Sequence, residues 1–143
     1  MANYKATINS PMSVEEAFDY LADFTNATEW DPNTTSSQCI EGEPGTPGSR
    51  YKVVTEFGGR EMELTYETIE VDRPRKVVLQ SGNGSTEIRD TMTFKSTGGG
   101  SMVTYDANVA PKGLVKLIDP ILAIIFKRVG DRAAEGLRKA LRA

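Results

Sequence analysis

Asp90 is the residue whose placement invites chemistry. It falls between Ile88 and Met92 in an alternating run that continues to Phe94, so a strand that turns its apolar residues inward turns Asp90 inward with them. An unpaired buried carboxylate is expensive, and two readings follow. In the first, Asp90 hydrogen-bonds a tyrosine hydroxyl, or a β-bulge turns it outward. In the second it faces a ligand: desolvation raises its pKa, and the carboxyl orients a hydroxyl-bearing molecule or serves as a general acid or base. Tyr66 and Tyr105 carry a similar double reading, as packing rings with tethered hydroxyls or as polar contacts to a ligand.

Composition removes most other chemistry. The 143 residues include no histidine, so Ser-His-Asp and Cys-His catalysis and histidine-ligated metal sites are impossible. The single cysteine, Cys39, has the polar neighbours Ser37 and Gln38, which fits a half-exposed strand residue in a reducing, cytoplasmic setting better than a nucleophile. Gly82-Asn83-Gly84 and Gly98-Gly99-Gly100 lack the following helix and the lysine of a phosphate loop, so they read as hairpin turns. No calcium-loop spacing occurs among the carboxylates. Neither cofactor nor metal is expected.

Charge is distributed unevenly. Residues 1–111 hold 9 Lys and Arg against 17 Asp and Glu, whereas residues 112–143 hold 8 against 3. A basic tail can serve a membrane surface or a nucleic acid, but the simpler reading is a solvated helix face complementary to an acidic body. Nucleic-acid binding is not expected, because the aromatic residues face inward and the sheet exterior is acidic. Met1 opens no basic-then-apolar leader, and the longest apolar run, Ile121 to Phe126, is too short to span a bilayer. Export and stable membrane insertion are therefore not expected, and oligomeric state is left open.

The elements that must position Asp90 follow from periodicity. Asn3 to Asn9 alternates Tyr4, Ala6 and Ile8 with polar residues, which predicts a first strand. Ser13 and Glu16 form a capping box ahead of a short helix whose stripe is Val14, Ala17, Phe18, Leu21 and Ala22. A second brief helix over Phe24 to Trp30 ends at Asp31-Pro32, since the residue before proline disfavours helix. Trp30, at that exit, is either a plug near a mouth or a recognition ring. From Thr34 onward glycine turns separate strands. Gly58-Gly59 as a two-residue turn pairs Thr55 with Met62, Val53 with Leu64 and Tyr51 with Tyr66. Asn83-Gly84 likewise pairs Ser81 with Thr86, Leu79 with Ile88 and Val77 with Asp90, while Gly98-Gly99 pairs Phe94 with Val103, Met92 with Tyr105 and Asp90 with Ala107. One face of this antiparallel meander is largely apolar, with Tyr51, Thr55, Tyr66, Asp90 and Tyr105 as its polar members.

The chain closes on a helix. From Gly113 to Leu141 the apolar residues Leu114, Leu117, Ile118, Ile121, Leu122, Ile125, Phe126, Val129, Ala133, Leu137 and Leu141 keep one face of a 3.6-residue repeat. Pro120 interrupts it, as a bend or as the first residue of a new helix behind Asp119; the continuous stripe favours a bend. Leu114 to Phe126 then borders a cavity mouth as a jointed lid, and Val129 to Leu141 anchors the helix. The order is α+β, and the chain reads as one domain over 1–143.

Ser10-Pro11-Met12-Ser13-Val14-Glu15-Glu16-Ala17-Phe18, Trp30-Asp31-Pro32, Gly42 to Tyr51 and Pro111-Lys112-Gly113-Leu114 give the chain a resemblance over nearly its whole length. It resembles the START/Bet v 1-like (SRPBCC) superfamily, specifically small bacterial polyketide cyclase/dehydrase-type proteins. The resemblance implies a helix-grip fold: a seven-stranded antiparallel sheet curled around a long C-terminal helix, two short helices after strand 1, and a deep apolar cavity. It implies binding of lipids, sterols, aromatic polyketides or related molecules, with catalysis in some members. Fold places the site without fixing its chemistry.

A dry pocket of roughly 300 Å³ would cost about 7 kcal/mol, so a cavity here implies water or a ligand. The expected lining is Trp30, Tyr51, Thr55, Met62, Leu64, Tyr66, Ile88, Asp90, Met92 and Tyr105, closed by Leu117, Ile121 and Ile125 of the helix. The expected partner is a small hydrophobic or amphipathic molecule, lipid-like or aromatic. The alternative is a polyketide cyclase or dehydratase that works by positioning, with Asp90 or a tyrosine moving a proton. A partner-binding module would require an exposed apolar patch.

Overall fold

The structure is a computed structural model that describes residues 2–57, 59–82, 86–111 and 120–142; side chains are described within these spans except at 2, 57, 86, 110, 111, 120–123, 125 and 126. Chain order is β1 (Ala2–Ser10), α1 (Val14–Ala22), a 3₁₀ turn (Phe24–Asn26), α2 (Ala27–Trp30), β2 (Thr34–Glu41), β3 (Arg50–Phe57), β4 (Arg60–Asp72), β5 (Lys76–Gly82), β6 (Thr86–Thr97), β7 (Gly100–Pro111) and α3 (Pro120–Ala140). Among the described residues seven strands form one antiparallel sheet in the order β1-β7-β6-β5-β4-β3-β2. The α+β helix-grip architecture is as expected.

Local signals act as the sequence predicts. The Ser13 hydroxyl accepts the Glu16 N–H at 3.1 Å and the Glu16 carboxylate accepts the Ser13 N–H at 3.3 Å, which caps α1 reciprocally. Ala17, Phe18, Leu21 and Ala22 of the α1 stripe are buried, and Phe18 meets Phe94 of β6 edge-on at 5.2 Å. α2 ends at Trp30, and Cys39 is a half-exposed residue of β2.

Two hairpin registers match and one does not. Across β3–β4, Thr55 pairs with Met62, Val53 with Leu64 and Tyr51 with Tyr66; across β6–β7, Phe94 pairs with Val103, Met92 with Tyr105 and Asp90 with Ala107. Across β5–β6 the pairing is Ser81 with Ile88, Leu79 with Asp90 and Val77 with Met92, two residues away from the two-residue Asn83-Gly84 turn. The last pair is Gly82 with Glu87. A slip of two keeps every side chain on its face, because strands repeat every second residue. Hydrophobic alternation is therefore blind to it, and Asp90 stays inward, opposite Leu79 rather than Val77.

α3 seals the open side of the curled sheet. Ala133, Ala134, Leu137 and Leu141 are buried, while Lys127, Arg128, Asp131, Arg132, Glu135, Arg138 and Lys139 are exposed. The Tyr4 hydroxyl of β1 donates to Asp131 at 2.7 Å, and the Ser10 hydroxyl donates to the Leu141 carbonyl. Gly136 lets the helix cross the Trp30 carbonyl at a distance that a Cβ would not tolerate. Lys127–Asp131 and Arg138–Glu135 are ion pairs within the helix, so complementarity with the acidic body reduces, among the described residues, to Arg132 beside Asp31. Leu114 to Asp119 lie outside the described residues; the described helix begins at Pro120, which leaves the expected bend and lid without a described second half. No helix among the described residues is long and apolar enough to cross a membrane.

Candidate functional site

The turn after α2 ties three walls together. The Asp31 carboxylate accepts the Asn33 N–H and side-chain amide, each at 2.9 Å, and the Thr34 hydroxyl at 3.0 Å. Such a carboxylate-closed turn is what aspartate before a short loop favours. The Asn33 carbonyl then accepts the Thr55 hydroxyl at 3.0 Å and the Glu56 N–H at 2.7 Å, both from β3. The Asn33 side chain also donates to the Val129 carbonyl of α3 at 3.0 Å. Helix exit, sheet and C-terminal helix are thereby fixed about one space.

That space is a cavity of about 60 Å³, whose lining includes Phe24, Trp30, Asp31, Leu64, Tyr66, Ile88, Asp90, Tyr105 and Val129. Its rings interlock: Phe24 lies 5.0 Å from Tyr66, and Trp30 meets Tyr105 edge-on at 5.9 Å. The volume is far below the roughly 300 Å³ at which ligand pockets begin. Among the described residues Phe24 and Trp30 pack into the curl of the sheet and leave a cavity with room for a few waters.

Asp90 stands in the wall of this cavity with 5% exposure. It is regularly paired on both sides, opposite Leu79 and Ala107, so no bulge turns it outward. Among the described residues no hydrogen bond reaches its carboxyl, which also excludes the tethered-tyrosine reading for Asp90. Burial, and next the negative charges of Asp31 and Asp106, push its pKa up to about 7. Asp31 is also raised by burial, against the opposing pull of its hydrogen bonds and of Arg132. Tyr66 and Tyr105 are held well above the ordinary phenol range by burial and by Asp90, so both present neutral hydroxyls. Among the described residues the Trp30 ring N–H is buried without an acceptor. The chamber therefore holds one carboxyl without a hydrogen bond among the described residues, beside neutral tyrosine hydroxyls.

Seven of the expected residues line this space: Trp30, Thr55, Leu64, Tyr66, Ile88, Asp90 and Tyr105. Three others lie elsewhere. Tyr51 is buried to one side, where its hydroxyl accepts the Gly45 N–H at 3.0 Å. Met92 is packed in the core, facing Val77 and Tyr105 across its neighbours. Met62, two residues from Leu64 on β4, is 39% exposed. Leu117 lies outside the described residues, as do the side chains of Ile121 and Ile125. The expected lining omits Phe24, Asp31, Thr34, Val53, Ala107, Val109 and Val129. The signal available for Asp31 was its own turn chemistry, an aspartate followed by Pro32, Asn33 and Thr34.

A second, larger depression of about 490 Å³ lies outside, between α2 and α3, lined by Glu29, Trp30, Pro32, Arg132, Glu135, Gly136, Lys139 and Ala140. It is open and rimmed by solvated charges, and Trp30 is the partition between it and the inner cavity. Among the described residues no cluster of carboxylate and thiol groups is placed to hold a metal ion.

Comparison with known proteins agrees with this geometry. A family model described as polyketide cyclase / dehydrase and lipid transport matches residues 1–142. No curated protein sequence matches the chain. Among solved structures, a START superfamily protein from Mycobacterium smegmatis has a TM-score of 0.81 at 12% identity, covering 99% of this chain and 97% of its own. The ZhuI aromatase/cyclase from Streptomyces sp. R1128 has a TM-score of 0.77 at 10% identity, covering 97% and 92%. A major latex-like protein from Panax ginseng has a TM-score of 0.74 at 14% identity, covering 99% and 98%. At these identities the likeness is one of fold; together with the family model over residues 1–142 it bears out the START/Bet v 1-like reading of the sequence.

Proposed function

The chain belongs to the polyketide cyclase / dehydrase and lipid transport family, and we propose that it binds a small hydrophobic or amphipathic molecule, lipid-like or aromatic, between the sheet and α3. The observation that carries this reading is Asp90, a buried carboxyl in the cavity wall with no hydrogen-bond partner among the described residues. A group so costly to bury persists where something other than stability requires it. Tyr66 and Tyr105 line the same space, and the Trp30 ring N–H, buried without an acceptor among the described residues, supplies further unfilled hydrogen-bonding capacity. A cavity of about 60 Å³ is small, so entry of a larger molecule requires its walls to separate.

Native mass spectrometry of gently purified protein tests the reading. The expected result is a one-to-one small-molecule adduct whose removal lowers the melting temperature and whose return restores it. Absence of any adduct, with no stabilisation by apolar compounds, would contradict it.

A second reading, a cyclase or dehydratase, draws on one specific observation: a carboxyl poised near pH 7 is matched to proton transfer at neutral pH. The fold shared with an aromatase/cyclase is consistent with it. Under that reading Asp90→Asn abolishes turnover of a polyketide-like substrate while binding stays measurable; unchanged turnover would remove Asp90 from the chemistry.

A further inference from the structure

The charge inventory of the cavity narrows the class of ligand. Its described lining contains two ionisable carboxyls, Asp31 and Asp90, and neither lysine nor arginine. The two acids are not equivalent. Asp31 already holds three hydrogen bonds and has Arg132 nearby, whereas Asp90 holds none among the described residues and is the more deeply enclosed. The charged and titratable groups that act on Asp90 are Asp31 from the α2–β2 turn and Asp106 from β7, with Tyr66 from β4 and Tyr105 from β7 beside it. None of these supplies positive charge. Among the described residues no cation lines the cavity to meet a ligand anion, while a ligand cation would find a carboxylate that lacks only a donor.

Resting on the binding reading above, we propose that this cavity selects an apolar molecule ending in a protonated amine, held by the Asp90 carboxylate, over the same molecule ending in an alcohol or a carboxylate. An ammonium group brings three N–H donors, and the site offers three acceptors for them: the Asp90 carboxylate and the Tyr66 and Tyr105 hydroxyl oxygens. No proton or bond need be exchanged; an approaching cation favours the ionised form of Asp90. Carboxylate- and phosphate-headed lipids are disfavoured by the same arrangement.

The test is a calorimetric titration of the full chain with decylamine, 1-decanol and decanoate, each below its micelle concentration. At about pH 8 the amine is expected to bind about tenfold more tightly than the alcohol, the size of one charge-assisted hydrogen bond, and decanoate most weakly. The preference for amine over alcohol should vanish in Asp90→Asn. It should also decline in the unaltered protein as pH falls through about 7, where Asp90 takes up its proton. This second measurement serves should the variant fold poorly. An amine bound no tighter than the alcohol, or a preference that survives both Asp90→Asn and acid, overturns the inference. Equal binding of alcohol and amine leaves the broader binding reading standing; binding of none of the three overturns both.

Discussion

The carboxyl groups of Asp31 and Asp90 open on one cavity, yet Asp31 accepts hydrogen bonds from Asn33 and Thr34 while Asp90, among the described residues, accepts none. Position explains the contrast. Asp31 sits in a turn whose own N–H groups and hydroxyl converge on it, whereas Asp90 sits mid-strand, where the backbone donors are committed to the β5 and β7 ladders.

Stability should therefore depend on the protonation of Asp90. Its ordinary value is 3.8 and its folded value about 7. Between these values the folded protein holds a proton that the unfolded chain has released, so this contribution is present at low pH and is lost as pH rises to about 7. Asp90→Asn is accordingly expected to stabilise the protein at about pH 8, by up to about 4 kcal/mol, and to change little near pH 4. Urea denaturation of both proteins across that range checks it; equal stability differences at both ends would show that Asp90 is not desolvated.

The tyrosines should separate into two kinds. Tyr51→Phe leaves the Gly45 N–H without its acceptor and is expected to cost about 1–2 kcal/mol. Tyr66→Phe and Tyr105→Phe remove hydroxyls that have no hydrogen bond among the described residues, and are expected to cost less than about 1 kcal/mol. Both should nevertheless weaken ligand binding. Denaturation and binding measured on the same three variants decide this; parallel losses in all three would merge the two kinds.

Much of this arrangement is legible in the residues, and the remainder has identifiable physical causes. The inward face of Asp90 follows from Ile88 and Met92 alone, and the two glycine-pair turns pin the β3–β4 and β6–β7 registers. The β5–β6 register is not fixed by alternation, because a two-residue slip leaves each face intact. Phe24 escapes notice because a 3₁₀ turn has no periodicity to mark its buried side. Asp31 is hidden because Pro32 already accounts for an aspartate at a helix exit. Cavity volume depends on how Phe24 and Trp30 fill the curl of the sheet, which no pattern of residue types specifies. One available signal passed unused: glycine inside a helix costs about 1 kcal/mol, so Gly136 points to a close crossing.

That crossing gives a further prediction. A Cβ at position 136 would overlap the Trp30 carbonyl and press on the Pro32 ring, so Gly136→Ala must displace α3 from the α2 exit. The expected cost is about 1–3 kcal/mol, with a shift in the emission of Trp30, the only tryptophan. Thermal melting and fluorescence of the variant check it; wild-type values in both would mean that the helix passes farther away.

Asn33→Ala tests whether the walls are coupled. The variant loses the bonds to Asp31 and to the Val129 carbonyl, and is expected to destabilise the fold by about 1–3 kcal/mol. Amide exchange in α3 should rise more than in β6 and β7. Uniform exchange throughout the chain would indicate that Asn33 does not hold the helix.

The most direct measurement uses the tryptophan already in the cavity wall. Trp30 is 1% exposed and borders the inner cavity, so a molecule entering it must alter the ring's surroundings. Titration of the protein with decylamine and 1-decanol, followed by Trp30 emission, is predicted to give a saturable one-site change accompanied by a rise in melting temperature. Emission that drifts linearly without saturation, with an unchanged melting temperature for both compounds, would contradict a ligand site between the sheet and α3.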